Sequence, residues 1–491
     1  RDVERSRGLG DVYKRQDGAD IAAWCQAARA EATTASGATY SQFLVDQAKA
    51  FERVRHQVLV TEAVELGYPL RMLRLSLAAY RMERVVRIGN VVSKSLVATR
   101  GITAGSGLAC DEMRLAMISI VDKARAAFNL VQPTLYVDDI SGECSHADPD
   151  TVFSQLSGFG LAVCSMLTAN GMEVSRQKYV VLSSCSRIGR LIECRLQAYA
   201  VKYVESAKSL GVDVAAGVRR STRVLRKRLH AFRARMPCFK KLRRARKSPL
   251  RVLRTGAATG MTYGQVQGVA SSMLYEQRRA VALAAAPLNG ACGQNVDMAL
   301  VLVDGPHGCV DPAYAAHHTP IVQWARAIYN AWIPTDILRG SCDVAVAVVK
   351  NASQPWSKVR GPAGALVASA DRIGWSVLDA TRIVTDLGTT LDFALDSPAA
   401  VKVAVTEAVR RWRWSRIENL MPSMSNVVRG TGALMRPVWK LLNPKQVPTD
   451  KGQWDALHRS LLCSVMAGRS WPQTRCMEAG WSGHNLSLIH I

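Results

Sequence analysis

Between Val214 and Tyr275 the chain carries 16 lysines and arginines and no aspartate or glutamate. Such a block cannot turn inward, because each ionised side chain taken out of water without a partner costs several kcal/mol. It must lie on a surface, and it splits the sequence into a part before and a part after. Residues 219–247 hold no glycine and, apart from Pro237, no proline, so the first half of the block reads as helix. With no acid interleaved, an ordinary solvated face is a poor account of it. Over the whole chain 64 basic residues against 39 acidic ones leave a net charge of +25, which favours a polyanionic partner, nucleic acid before membrane.

The remaining composition is that of a core-forming protein. Hydrophobic residues make up 48% and charged ones 21%, which excludes a disordered chain, and a length of 491 residues suggests about three domains. No uninterrupted apolar run approaches the roughly 20 residues that span a bilayer, so an integral membrane protein is not expected. The 12 cysteines are scattered without a CxxC pair, which argues against a zinc ribbon or a dense disulfide framework and for a reducing compartment. No secretory signal is visible. The two ends carry a different signature. One codon choice for residues 486–491, LSLIHI, has a reverse complement that translates as DVYKRQ, the sequence of residues 11–16. Residues 1–16 and 486–491 are therefore expected to be sequencing-adapter remnants around a fragment of a longer protein.

Before the basic block the pattern is α+β. Apolar spacing predicts helices over residues 17–34, 49–66, 105–128 and 150–170, with another after the break at Gly67-Tyr68-Pro69. Residues 40–45 read as a buried strand, residues 85–97 as a hairpin about Gly89-Asn90, and residues 134–143 as a second hairpin. Two or three strands are expected up to residue 212. Beyond the block, residues 256–308 are rich in alanine and glycine, and residues 312–421 read as helix with tryptophan and arginine interleaved. A last helix is expected near residues 454–466.

Tyr136-Val137-Asp138-Asp139 falls at the tip of the second hairpin, where two acids can project together into solvent. Two carboxylates about 4 Å apart repel by about 4 kcal/mol at an effective dielectric near 20, equivalent to roughly three pKa units. A divalent ion is the natural compensation, and hard oxygen ligands with open positions select Mg2+ or Mn2+. Aspartate is also a common turn residue, so a second acid carries the weight. Asp46 ends the strand Phe43-Leu44-Val45 and opens the helix near Lys49, where helix capping is the competing use. A strand-end carboxylate beside a hairpin-tip carboxylate is the arrangement that two-metal phosphoryl transfer needs.

The stretch Phe43-Leu44-Val45-Asp46-Gln47-Ala48-Lys49-Ala50-Phe51 resembles the first catalytic motif of reverse transcriptases, and Tyr136-Val137-Asp138-Asp139 resembles their YxDD box. Between them Arg100-Gly101-Ile102-Thr103-Ala104-Gly105 is similar to the template- and nucleotide-positioning motif. Gly171-Met172-Glu173-Val174-Ser175 to Lys178 resembles the lysine motif, and Ser209-Leu210-Gly211 the primer-grip hairpin. All five occur in family order, and the best match is to the non-LTR (LINE-like) retroelement enzymes. The resemblance implies a polymerase palm, an antiparallel sheet packed on helices, with partial fingers over residues 17–214. It further implies a basic helical thumb over residues 215–260 and a mainly α extension over residues 261–485.

The implied activity is RNA-directed DNA polymerisation, the addition of a dNTP to a primer 3′-OH with two Mg2+ (or Mn2+) ions. The partners would be an RNA template and a DNA primer, with no membrane. Asp46 and Asp138, with Asp139 beside them, would be the metal ligands, and Lys178 would protonate the leaving pyrophosphate. Phe51 would close the pocket under the sugar and exclude a 2′-hydroxyl, with Ala104 and Gly105 also at the nucleotide. Tyr136, Leu210 and Gly211 would hold primer and template. Phe51 disfavours an RNA-dependent RNA polymerase, which usually carries a small or polar group there. A catalytically degenerate nucleic-acid-binding relative is the other alternative. Two departures stand out: most relatives have glutamine where Ala104 stands, and the fingers segment that precedes Asp46 in the family is expected to be missing, so the fragment should keep the carboxylates yet polymerise poorly or not at all.

On the same resemblance Arg219, Arg220, Arg223, Arg226 and Lys227 would track template–primer phosphates, positioning the duplex without reading its sequence. Residues 240–247 fit a nuclear-import signal, hence an intracellular, nuclear location. In the extension, Asp304, Asp311, Asp371 and Asp386 lack the spacing of an RNase H site. The stretch Trp412-Arg413-Trp414-Ser415-Arg416 is expected to pack within a helix rather than stack on bases. Trp471-Pro472-Gln473-Thr474-Arg475 looks like the lead-in to a Cys/His knuckle.

Overall fold

The structure, a computed structural model, describes residues 17–103, 105–173, 179–245, 248–285, 295–305, 308, 310–421, 432–442, 454 and 456–467. They form two units of mixed α and β structure. The first holds the described residues up to Ser221 with Ile333–Val344 and Arg360–Ala363; the second holds Thr222–Trp332, Ala345–Val359 and the described residues from Gly364 onward.

The first unit opens with α1 (Asp17–Ala35), β1 (Thr39–Val45), α2 (Ala50–Arg53), α3 (His56–Glu65), α4 (Leu70–Tyr80) and the short hairpin β2 (Arg87–Ile88) and β3 (Val91–Val92). It continues through α5 (Ala109–Ala127), β4 (Val131–Tyr136), β5 (Asp139–His146), α6 (Pro149–Ala169), β6 (Val180–Ser183), α7 (Ser186–Arg195), β7 (Lys202–Tyr203), β8 (Ala207–Ser209) and β9 (Val212–Val214). The main sheet has the order β4-β5-β1-β6-β7, with β1 antiparallel to both neighbours and β7 parallel to β6.

Alternation sorts the side chains of this sheet onto two faces. Phe43, Val45, Ile140 and Cys144 enter the main core, where α5 and α6 supply Met113, Ile120, Val152, Phe159 and Val163. Gly142 permits that approach, since a Cβ there would stand 2.5 Å from the Phe159 ring. On the other face Gln26 donates to the Ser141 hydroxyl at 2.8 Å, and Arg29 forks onto Glu143 at 3.0 and 2.8 Å. The Tyr40 hydroxyl donates to the same carboxylate at 3.1 Å, so α1 lies along β5 on polar contacts.

Among the described residues α6 is the one helix long and apolar enough to cross a membrane. Counting uninterrupted apolar runs misses it because its few polar residues break the run without lowering mean hydropathy much. Asp148 caps its start by accepting from the Asp150 and Thr151 amides, and Val152, Leu156, Phe159, Val163 and Leu167 are fully buried in the main core.

Three expectations change in the structure. The helix predicted over residues 49–66 is broken between α2 and α3, because Val54 is extended (φ −56°, ψ 119°) and its carbonyl accepts from the Gly101 amide at 2.7 Å. The strands expected up to residue 212 are present as β6, β7 and β8, but α7 stands between β6 and β7, with Ile188 and Ile192 one turn apart and both buried. The C-terminal region is not purely helical. It contains an antiparallel sheet, β10 (Ser376–Val377), β11 (Arg382–Val384) and β12 (Thr390–Asp392), built where Ile383, Val384 and Thr385 concentrate β-branched side chains.

The helices that complete the chain are α8 (Arg223–Ala234), α9 (Met236–Arg244), α10 (Leu250–Val252), α11 (Ala258–Thr262), α12 (Ser271–Ala285), α13 (Val296–Asp304), α14 (Pro312–Tyr329), α15 (Thr335–Val349), α16 (Pro355–Lys358), α17 (Pro362–Arg372), α18 (Pro398–Leu420), α19 (Arg436–Leu442) and α20 (Ala456–Met466). The expected boundary at residues 260/261 falls inside α11. The basic helices are not a separate body within the second unit. Leu229, Phe232 and Phe239 share one core with its Val281, Leu300, Trp414 and Ile417.

That unit is also pinned by buried ions. Arg278 forks onto Asp311 at 2.9 Å and reaches Asp297 at 2.6 Å, while Arg413 meets Asp304 at 2.5 Å and Asp311 at 3.3 Å. Asp311 in addition caps α14 through the Ala313 amide at 2.9 Å. Of the four carboxylates noted in this region, Asp304 and Asp311 share Arg413, Asp386 is held by Arg411, and Asp371 is exposed. Trp414 packs in the core and Arg413 in the ionic cluster, which is the helical packing expected of residues 412–416.

Candidate functional site

The site is built where β1 ends and the β4–β5 hairpin turns. β1 and β5 pair from Thr39↔His146 to Val45↔Ile140, a register that carries Asp46 to the level of Asp139. Tyr136 pairs with Asp139, so Val137 and Asp138 alone make the turn. Val137 has φ +59°, a left-handed conformation that costs a β-branched residue on the order of 1–3 kcal/mol. Asp46, Asp138 and Asp139 are all half-buried.

A residue that sequence reasoning passed over ties the two pieces together. Gln47, 5% exposed, donates through Nε2 to the main-chain carbonyl of Asp138 at 3.2 Å and touches Met117 Sδ at 3.4 Å. In the sequence nothing marks it beyond its place directly after a strand-end acid. Burial first, then Asp111, pushes the Cys110 thiol up; Arg114 opposes, and Asp138 adds to the rise, so Asp138 faces the first turn of α5. Burial likewise raises the Tyr179 hydroxyl, with Cys164 and Asp46 adding to it.

The other matched segments meet the same strand end. The Phe51 carbonyl accepts from the Ile102 amide at 2.7 Å, and the His56 ring lies 3.0 Å from the Gly101 carbonyl. Phe51 itself is half-buried against the main core. The Ala48 amide donates to the Glu173 carbonyl at 3.2 Å, and Arg53 pairs with Glu173. Gly171 (φ +78°) leaves room for the Arg55 guanidinium, which a Cβ would meet at 2.7 Å. Gly105 is exposed with φ +91°. Ala104 and Lys178, like residues 471–475, lie outside the described residues.

Leu210 and Gly211 form the two-residue turn of the β8–β9 hairpin, both with positive φ, +49° and +79°, the twist that suits a tight hairpin. That hairpin packs through Val214 against Tyr40, Leu44 and Leu182, on the face of the sheet opposite the main core. Among the described residues no group of three His, Cys, Asp or Glu side chains is gathered closely enough to hold a metal ion.

The expected thumb cations divide. Arg219, paired with Glu205, and the half-buried Arg220 belong to the first unit. Arg223, Arg226 and Lys227 lie on the exposed face of α8, whose opposite face buries Val224, Leu225, Leu229 and Phe232. Arg228 turns inward onto the Tyr263 ring at 4.6 Å, and Arg233 pairs with Glu276. No protein-family model and no curated protein matches the chain.

Proposed function

We propose that the first unit is the palm of an RNA-directed DNA polymerase of the non-LTR retroelement kind, and that the exposed face of α8 in the second unit binds nucleic acid through its phosphates. The observation that carries this reading is the meeting of four separated stretches at one strand end: Gln47 with Asp138, Phe51 with Ile102, and Ala48 with Glu173. They are the stretches whose order along the chain resembles that family.

Asp46, Asp138 and Asp139 offer only hard carboxylate oxygens, a donor set that fits Mg2+ or Mn2+. Mg2+ is commonly held by one or two carboxylates with substrate phosphates completing its shell, so Asp46 and Asp138 would suffice, with Asp139 beside them. When bound, two ions would activate the primer 3′-oxygen and neutralise charge on the leaving pyrophosphate. The chain's own residues do the rest. Gln47 holds the main chain of Asp138 so that its carboxylate keeps its aim. The Phe51 ring would occupy the space a ribose 2′-hydroxyl needs, and Lys178 would protonate the pyrophosphate.

Single-nucleotide extension of a DNA primer on an RNA template, with protein in excess, tests the reading. Metal-dependent extension supports it, and no extension together with no Mn2+ binding by electron paramagnetic resonance overturns it for this chain. Phe51→Ala is expected to relax discrimination against ribonucleotides by about tenfold or more, read as the ratio of dNTP to NTP incorporation. An unchanged ratio would remove Phe51 from the pocket. Reversing Arg223, Arg226 and Lys227 to glutamate should weaken primed-template binding and flatten log K against log salt by about one unit per lost phosphate contact. An unaltered slope would detach α8 from the duplex. One observation favours a second reading, a non-catalytic nucleic-acid-binding relative: no three-ligand group is gathered among the described residues. Under that reading binding persists and extension is absent.

A further inference from the structure

The β2–β3 ribbon is exposed along its whole length, and its exposed side chains are largely aliphatic. Of the 31 large hydrophobic residues exposed among the described residues, 13 fall within residues 64–97, and Ile88 and Val91 at the ribbon tip are 78% and 74% exposed. Ile88 pairs with Val91 and Arg87 with Val92, while Arg84 bridges to Leu96 at the base. Alternation then places Val86, Ile88 and Val91 on one face and Val85, Arg87 and Val92 on the other. No third strand joins the ribbon among the described residues, so each strand keeps an outer edge of main-chain donors and acceptors, a template for another strand.

The charges decide what fits that edge. Arg81, Arg84, Arg87 and Lys94 are exposed, against a single acid, Glu83, which the Ser95 hydroxyl engages at 3.0 Å. Edge lysines and like charges set opposite one another disfavour pairing with a second copy of the same ribbon. Nucleic acid would meet the cations but find no aromatic ring to stack on, since the exposed apolar residues are valine, isoleucine, leucine and Met82. A polypeptide strand alternating aliphatic side chains with carboxylates satisfies the main-chain edge, the aliphatic face and the cations together. We infer that the β2–β3 ribbon is a docking edge for an extended acidic segment of a partner protein, which adds to it as a strand. This inference does not rest on the polymerase reading.

Two short fluorescent peptides, one alternating valine with glutamate and one alternating valine with lysine, titrated against the full chain by anisotropy, test it. The glutamate peptide is expected to bind at least about tenfold tighter than the lysine peptide. Ile88→Glu with Val91→Glu should abolish that binding, and Arg87→Glu with Lys94→Glu should reverse the preference. All four positions are exposed, and an unchanged circular dichroism spectrum confirms that each variant folds. Equal binding of the two peptides, or none, overturns the inference. So does a concentration-dependent dimer in sedimentation that Ile88→Glu removes, which would assign the edge to a second copy. Displacement of the peptide by single-stranded RNA would assign it to nucleic acid instead.

Discussion

Asp138→Asn is expected to lower metal-dependent nucleotide incorporation by roughly a thousandfold or more, the scale at which loss of an essential group in a catalytic unit is felt. The substitution keeps the size of the side chain and leaves the Gln47 bond to the Asp138 main-chain carbonyl untouched. What it removes is the carboxylate charge that the proposed ion would use. Mn2+ affinity, read by electron paramagnetic resonance, should fall in step, and this readout holds even where extension by the wild-type chain is slow. The metal-free protein should melt no lower than wild type, because the charge beside Asp139 at the hairpin tip has been neutralised. Asp139→Asn should have a smaller effect, as Asp139 supports rather than leads. Unchanged Mn2+ binding and unchanged incorporation in Asp138→Asn would together sink the assignment. Lost incorporation with a lowered melting temperature would mean instead that the hairpin needs the charge to fold.

The parts of this site that the sequence discloses are those governed by local periodicity. β1 and the β4–β5 hairpin follow from short apolar runs around a turn, and α6 from apolar spacing after an Asp148 cap with Pro149 at its first turn. What stays hidden depends on partners far along the chain. The break between α2 and α3 is set by the Gly101 amide, and the clamp on Asp138 by a glutamine 91 residues before it. Neither has a periodic signature. The basic block shows the same division. Its surface character could be read from charge alone, yet Arg228 turns inward because Tyr263 offers both a ring face and a carbonyl. The boundary expected at residues 260/261 dissolved because Leu229, Phe232 and Phe239 share a core not only with Leu253 and Ala257 of the block but also with Val281, Leu300 and Trp414 beyond it. The β10–β12 sheet was missed because its strands are two or three residues long, too short for a period to register.

Arg278→Met should destabilise the second unit by about 3–5 kcal/mol, the usual cost of leaving buried charges without their partner. Arg278 is 2% exposed, and its removal takes the shortest cation contacts from Asp297 and Asp311, 1% exposed each, leaving them the 3.3 Å contacts to Arg416 and Arg413. That is a large share of the roughly 5–15 kcal/mol that holds a typical domain together. The Trp412 ring, 5.1 Å from the guanidinium, reports the loss in a denaturant titration followed by fluorescence. Acid should act on the same unit, and histidines lead the response. Burial lowers His317 to about 3 and His318 to about 4 from an ordinary 6.5. Below pH 6.5 the unfolded chain therefore takes up protons that the folded chain refuses. Stability falls as pH drops toward about 4, by up to about 1.4 kcal/mol per pH unit per histidine. Asp311 enters later. Burial pushes its carboxyl up, but Arg278 and then Arg413 pull it further down, below the ordinary carboxylate range. Its contribution is present above the unfolded value and is lost only as pH falls through the lower folded one. The unit should thus begin to lose stability near pH 6.5 rather than near pH 4, and His318→Gln should reduce the slope by about one proton. A melting temperature that stays flat from pH 6.5 to 4.5 would mean that both histidines titrate freely and that the core around α14 is open to water.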